Sequence, residues 1–140
     1  MSDDHAHDNP RVCDHFLNPR NVGDVPDADG VGEVGAVACG DVMRISIRVR
    51  EGRIAEARFR TFGCGTAIAA SSVATELIQG RLIAEALKFS NEEVSAALGG
   101  LPPAKSHCPI LAEEAVKAAL ADYLRKAEGG KRKAESEEHV

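Results

Sequence analysis

Between positions 42 and 50 polar and apolar residues alternate without a break. Met43, Ile45, Ile47 and Val49 fall on one side, Arg44, Ser46, Arg48 and Arg50 on the other. A period of two marks a strand with one face in a core and one in water. Glu51-Gly52 is a tight-turn signal, and in 53–62 Ala55, Ala57 and Phe59 again alternate with Glu56, Arg58 and Arg60. A weaker strand is expected at about 31–38. The apolar side of such a meander needs a cover, and the next residues supply one. From Thr66 to Gln79, Ala70, Val73, Ala74, Leu77 and Ile78 recur at helical spacing, and Gly80 stops the run. Ser90-Asn91-Glu92-Glu93 reads as the capping box of a short helix that Gly99-Gly100 closes. A last helix is expected from Pro109, a favoured first helical residue, with Ala112, Ala115, Val116, Ala119, Leu120 and Tyr123 as its stripe. A short helix over 10–17 precedes the strands and ends before Asn18-Pro19. The class predicted is α+β: a three-stranded antiparallel sheet with helices packed on one face.

The 140 residues leave room for one domain, placed at 10–127. Residues 1–9 and 128–140 are polar, the latter opening with Gly129-Gly130, and both are expected to be disordered. No apolar run approaches the ~18–20 residues of a membrane-spanning helix. The N-terminus lacks a basic segment followed by an apolar one. A cytoplasmic protein without a membrane span is therefore expected. Lys and Arg number 17 against 22 Asp and Glu, a net charge of −5, which argues against nucleic acid as a partner. Four Phe, one Tyr and no Trp argue against a base-stacking surface. The arginines at 44, 48, 50, 53, 58 and 60 then read as the wet face that alternation demands, or as a dock for an acidic protein.

The cysteines carry the chemistry. No secretion signal accompanies Cys13, Cys39, Cys64 and Cys108, so disulfides are not expected. No Cys-x-x-Cys pair is present, which removes spacing support for a zinc finger or a thioredoxin-like site. Cys39 (in Ala38-Cys39-Gly40-Asp41), Cys64 (in Gly63-Cys64-Gly65-Thr66) and Cys108 (in His107-Cys108-Pro109) all fall at element ends. Glycines beside the first two let the backbone approach a bound group closely. Cys64 and Cys108 stand at expected helix N-termini, where the dipole favours a thiolate. Asp41 and His107 adjoin the set, and three thiolates with a carboxylate or an imidazole complete a four-coordinate site for zinc or for iron in a cluster. Clusters kept permanently are usually held by four Cys. Three Cys and a hard carboxylate oxygen would hold iron less firmly, which suits a cluster that must leave. Cys13 is read as a packing residue within a short helix, and His15 as helix packing or a cap. A zinc-bound persulfide relay and a structural zinc module are the alternatives. A hydrolase built on His107 and Cys108 is disfavoured, because chain neighbours rarely aim both side chains at one reacting atom.

Several stretches resemble the iron–sulfur cluster assembly scaffolds of the IscU family and the N-terminal domain of NifU. They are Asn18-Pro19-Arg20-Asn21-Val22-Gly23, Ala38-Cys39-Gly40-Asp41, Phe59 to Ala70, Leu101-Pro102-Pro103-Ala104-Lys105, and His107-Cys108 leading into Leu111–Tyr123. They occur in family order across roughly residues 11–126. The resemblance implies a scaffold and not an enzyme. A cysteine desulfurase delivers sulfur as persulfide, an iron donor supplies iron, and a [2Fe–2S] cluster is built and passed to apo-proteins. It implies Cys39, Asp41, Cys64, His107 and Cys108 as ligands, with Cys108 as the sulfur acceptor. It also implies that Leu101, Pro102, Pro103, Ala104 and Lys105 bind an Hsp70-type chaperone working with a J-protein. Zinc in the resting protein, or a cluster bridging a homodimer, is compatible with it. Three positions depart from the usual pattern: Val37 for Pro, Ala104 for Val and Pro109 for Ser. The zinc-dependent sulfur-transfer branch carries an insertion between the second and third cysteines, whereas the gap from Cys64 to Cys108 is short.

Overall fold

The computed structural model describes residues 10–36, 40–101 and 107–139, with Ala36 and residues 128–139 as backbone alone. Three strands, β1 (Gly30–Ala36), β2 (Asp41–Arg50) and β3 (Arg53–Phe62), form an antiparallel sheet in the order β1-β2-β3. Helix α1 (Pro10–Leu17) precedes them, and α2 (Gly65–Ile78), α3 (Ile83–Ala86), α4 (Asn91–Ala97) and α5 (His107–His139) follow. The α+β class and the three-stranded meander are as the alternation requires. Met43, Ile45 and Ile47 of β2 are fully buried beneath α2 and α5. Among the described residues no helix is long and apolar enough to cross a membrane.

The phase of β3 differs from the expected one. Val49 pairs with Ile54 but Arg48 pairs with Glu56, so Ala55 is an extra residue on that strand. This bulge turns Ile54, not Ala55, into the core, while Ala57 and Phe59 point inward as expected. The arginines of the outer face are matched by acids. Arg60 and Arg44 reach Asp24 at 2.6 and 3.3 Å, and Arg58 and Arg48 reach Glu56 at 2.6 and 3.7 Å. The loop before β1 covers part of that face, where Val25 N–H donates to the buried Ser46 Oγ at 2.9 Å.

Helix α2 is the hub. Its small residues, including Ala67, Ala70, Ser71, Ala74 and Thr75, are buried on nearly every side. The sheet lies below it and α1 above, and α4 and α5 flank it. The expected stripe of one apolar face is too narrow for this position. Helix α1 buries Val12 fully, and it and the turn after it make polar contacts to α2. His15 Nδ1 lies 2.8 Å from Ser72 Oγ, Arg20 N–H donates to the same oxygen at 2.9 Å, and Asn21 Nδ2 donates to Thr75 Oγ1 at 3.2 Å.

Burial, helped by the Arg20 guanidinium and opposed by Glu76 and Asp14, holds His15 below the ordinary imidazole range. The neutral ring is therefore the folded form, and its contribution is present above the unfolded value of ~6.5 and lost as pH falls through the lowered folded value. The parent should lose stability as pH falls below about 6.5, and His15→Gln should flatten that slope. Equal slopes for the two proteins would show that His15 does not carry it.

The start of α5 differs from expectation. It starts at His107 rather than Pro109, because proline is tolerated throughout a first turn whose N–H groups have no helical partner anyway. Its backbone continues to His139. Along its described side chains the expected i, i+4 pairs form, Lys117 with Glu113 at 3.2 Å and Lys126 with Asp122 at 2.9 Å. Asp122 is buried and also accepts the Val31 N–H at 2.9 Å, fastening β1 to α5. Burial alone would raise its carboxyl, but Lys126, the Val31 amide and Arg125 together hold it below the usual range. The short helix α3 was not expected. It sits after a bridge between Arg53 and Leu82, and Glu85 returns its carboxylate to the Leu82 N–H at 3.0 Å. Glu93 makes the equivalent bond to Ser90 N–H at 3.1 Å, as the capping-box reading requires.

Candidate functional site

Three junctions meet at one end of the sheet. Asp41 is the first residue of β2, and Val42 pairs with Phe62, the last residue of β3. This register sets Asp41 beside Gly63. Cys64 is the N-cap of α2, with extended backbone (φ −73°, ψ 167°) and no side-chain cap bond. Its sulfur lies 3.9 Å from that of Cys108, in the first turn of α5. The pair are thiols, not a disulfide, whose sulfurs would be about 2.05 Å apart. His107 Nε2 lies 3.6 Å from Cys108 Sγ and 3.2 Å from Asp41 Oδ2.

Taken pair by pair, each contact has about the length found between neighbouring metal ligands. Around a tetrahedral centre two thiolates stand roughly 3.8 Å apart, a thiolate and an imidazole roughly 3.6 Å, and an imidazole and a carboxylate roughly 3.3 Å. The contacts run as a chain from Cys64 through Cys108 and His107 to Asp41. Among the described residues no three or more Cys, His, Asp or Glu side chains are already grouped around a metal position. Asp41, Cys64, His107 and Cys108 are thus linked by pairwise contacts. Cys39 and residues 102–105 lie outside the described residues, and Leu101 packs half-buried against the core. Cys13 is half-buried in α1. His107 and Cys108 do touch, against the expectation for chain neighbours. Cys108 is fully buried among the described residues.

The rim was not read from the sequence. Phe62 is 65% exposed at the end of β3, and the 41% exposed Phe16 of α1 lies against Gly65. For Phe62 the outward phase of the strand carried the signal. For Phe16 nothing in the chain alone places α1 over the start of α2.

Fold and site define a small α+β domain that gathers thiols, an imidazole and a carboxylate from three element junctions. The sequence profile of the NifU-like N-terminal domain matches residues 7–129, and the chain belongs to that family. It is 55% identical over 116 residues to an iron–sulfur cluster assembly scaffold protein IscU of Archaeoglobus fulgidus, covering 83% of this chain and 76% of that one. It is 52% identical over 122 residues to the iron–sulfur cluster assembly scaffold protein IscU of Escherichia coli, covering 84% of this chain and 94% of that one. The crystal structure of the N-terminal part of a NifU-like protein from Brucella abortus matches the fold with a TM-score of 0.54 at 20% identity, over 89% of this chain and 88% of that one.

Proposed function

We propose that the protein is a scaffold on which an iron–sulfur cluster is built and from which it is passed on. Its work is carriage, not turnover of a small substrate. The observation that carries this reading is the pair of thiols 3.9 Å apart at two helix N-termini, linked through His107 to a carboxylate. Thiolates bind iron and sulfane sulfur, and the carboxylate is the weak member that lets the cargo go. The cluster is read as [2Fe–2S], its four terminal ligands drawn from Cys39, Asp41, Cys64, His107 and Cys108, and in its absence zinc would take four of the same donors. Sulfur arrives when the Cys108 thiolate attacks the outer sulfur of a desulfurase persulfide. A new S–S bond forms on Cys108 and the desulfurase thiolate leaves, with no net oxidation. Reduction of that sulfur to sulfide takes two electrons from an external donor. The Leu101–Lys105 segment is the proposed contact for an Hsp70-type chaperone and its J-protein.

The test supplies reduced protein with ferrous iron, cysteine, a cysteine desulfurase and a thiol reductant under anaerobic conditions. Apo-ferredoxin is then added and its visible spectrum followed. A cluster that forms and moves supports the scaffold reading, and one that forms and stays overturns it in favour of a permanent centre. Failure to form with an active desulfurase favours the zinc-bound sulfur relay. Asp41→Ala should retain the cluster and slow its transfer roughly tenfold, the scale seen when a tuning group at a metal site is lost. Equal transfer rates in variant and parent would remove Asp41 from release.

A further inference from the structure

A position demands glycine either because its backbone has a φ that side chains disfavour or because there is no room for a Cβ. Gly63 is not among the residues with positive φ. Its reason is room. A Cβ there would lie 2.2 Å from Asp41 Oδ1 and 3.2 Å from Asp41 Cγ, while the next neighbour, Ala67 Cβ, stands at an ordinary 3.4 Å. The obstacle is thus the carboxylate itself, at the end of a side chain with two torsions. The other oxygen of that carboxylate is the one 3.2 Å from His107 Nε2, and the same nitrogen is 3.6 Å from Cys108 Sγ. Gly35 is a different case. It has φ +95° and a Cβ there would meet the Asp41 main-chain oxygen at 2.2 Å, so substitution strains the backbone on both counts.

We infer that Gly63 is a positioning residue: the space left by its missing side chain seats the Asp41 carboxylate against His107. A methyl group at residue 63 pushes the carboxylate aside by about an ångström, the difference between a collision and van der Waals contact. The fold survives, because a side-chain end yields and no backbone does. The functional half of this inference rests on the scaffold reading, and the geometric half does not.

Four proteins test it: the parent, Gly63→Ala, Asp41→Ala and the double variant. Each is assayed for Tm without metal and for cluster transfer to apo-ferredoxin. The loss of unfolded-chain freedom on replacing glycine is the same in both backgrounds and cancels in the cycle. Gly63→Ala should lower Tm by a few degrees in the parent and by less than about one degree in the Asp41→Ala background, where nothing remains to collide. It should slow transfer roughly threefold in the parent and not at all beside Asp41→Ala, as expected of a residue acting through another. Equal Tm losses in both backgrounds overturn the inference, as does normal transfer by Gly63→Ala when Asp41→Ala is slow. If Asp41→Ala itself transfers normally, the role of Asp41 in release falls, while the Tm cycle still decides whether Gly63 seats it. Should Gly63→Ala fail to fold, rescue by Asp41→Ala upholds the inference and a second unfolded protein overturns it.

Discussion

Cys108→Ser should abolish both persulfide on the chain and cluster assembly, with cluster content below roughly a tenth of the parent, as when a nucleophile is removed outright. Intact-mass measurement after incubation with a desulfurase and cysteine should show a gain of one sulfur in the parent and none in the variant. The loss is chemical and not structural. Cys108 is fully buried, and burying a hydroxyl in place of a thiol costs about 1–3 kcal/mol, less than the 5–15 kcal/mol stability typical of a domain. Circular dichroism should therefore show a folded protein. Cys64→Ser is the informative partner, since its sulfur is 3.9 Å away and more exposed. Should Cys64→Ser lose the persulfide and Cys108→Ser keep it, the two thiols exchange roles: Cys64 receives sulfur from outside and Cys108 serves only to bind.

Gly32→Ala should cost about 3 kcal/mol or more, near the top of the range for overpacking, and lower Tm by roughly 10 °C. The reason lies in how α5 meets β1. A Cβ on Gly32 would stand 2.4 Å from Ala115 O and 2.4 Å from Ala119 N. Both are helix backbone, so no rotamer change relieves the contact, and the helix must lift off the strand. Lifting it also disturbs the Asp122 bond to Val31 N–H and the burial of Ala115, Val116 and Ala119. Thermal unfolding of Gly32→Ala beside Gly52→Ala separates space from backbone preference. Gly52 has nothing within 4 Å of its would-be Cβ but a φ of +74°, so its substitution measures strain alone and should cost less. A Gly32→Ala protein as stable as the parent would show that α5 does not press on β1 as described.

Much of this architecture is legible in the chain, and the exceptions have physical causes. The alternation in 42–50 identifies β2 because one face is wet and the other is not. The bulge at Ala55 leaves no trace in that pattern, since both phases of β3 place an apolar residue inward at 57 and 59. The four-residue α3 is too short for helical periodicity to register and depends on tertiary contacts such as the Ile83 N–H bond to Gly52 O at 2.9 Å. At the site, residue type and position at element ends pick out Asp41, Cys64, His107 and Cys108. Their mutual spacing depends on the register that sets Val42 opposite Phe62 and on the path of α5, neither of which is local. Gly63 shows the limit most clearly: a glycine before a cysteine suggests backbone freedom, whereas its use is the space it leaves.

The convergence of three junctions has a thermodynamic side. The His107–Asp41 contact spans 66 positions of the chain and the Cys64–Cys108 contact 44. A cluster held across them, as proposed above, would act as a cross-link that closes long loops. Such a link contributes to folding in proportion to its affinity for the ordered chain. Loaded and empty molecules then differ in rigidity as well as in composition. A partner that grips the loosened form would favour unloading, and one that grips the tightened form would favour construction, so the filling of a single site sets which of the two the molecule meets.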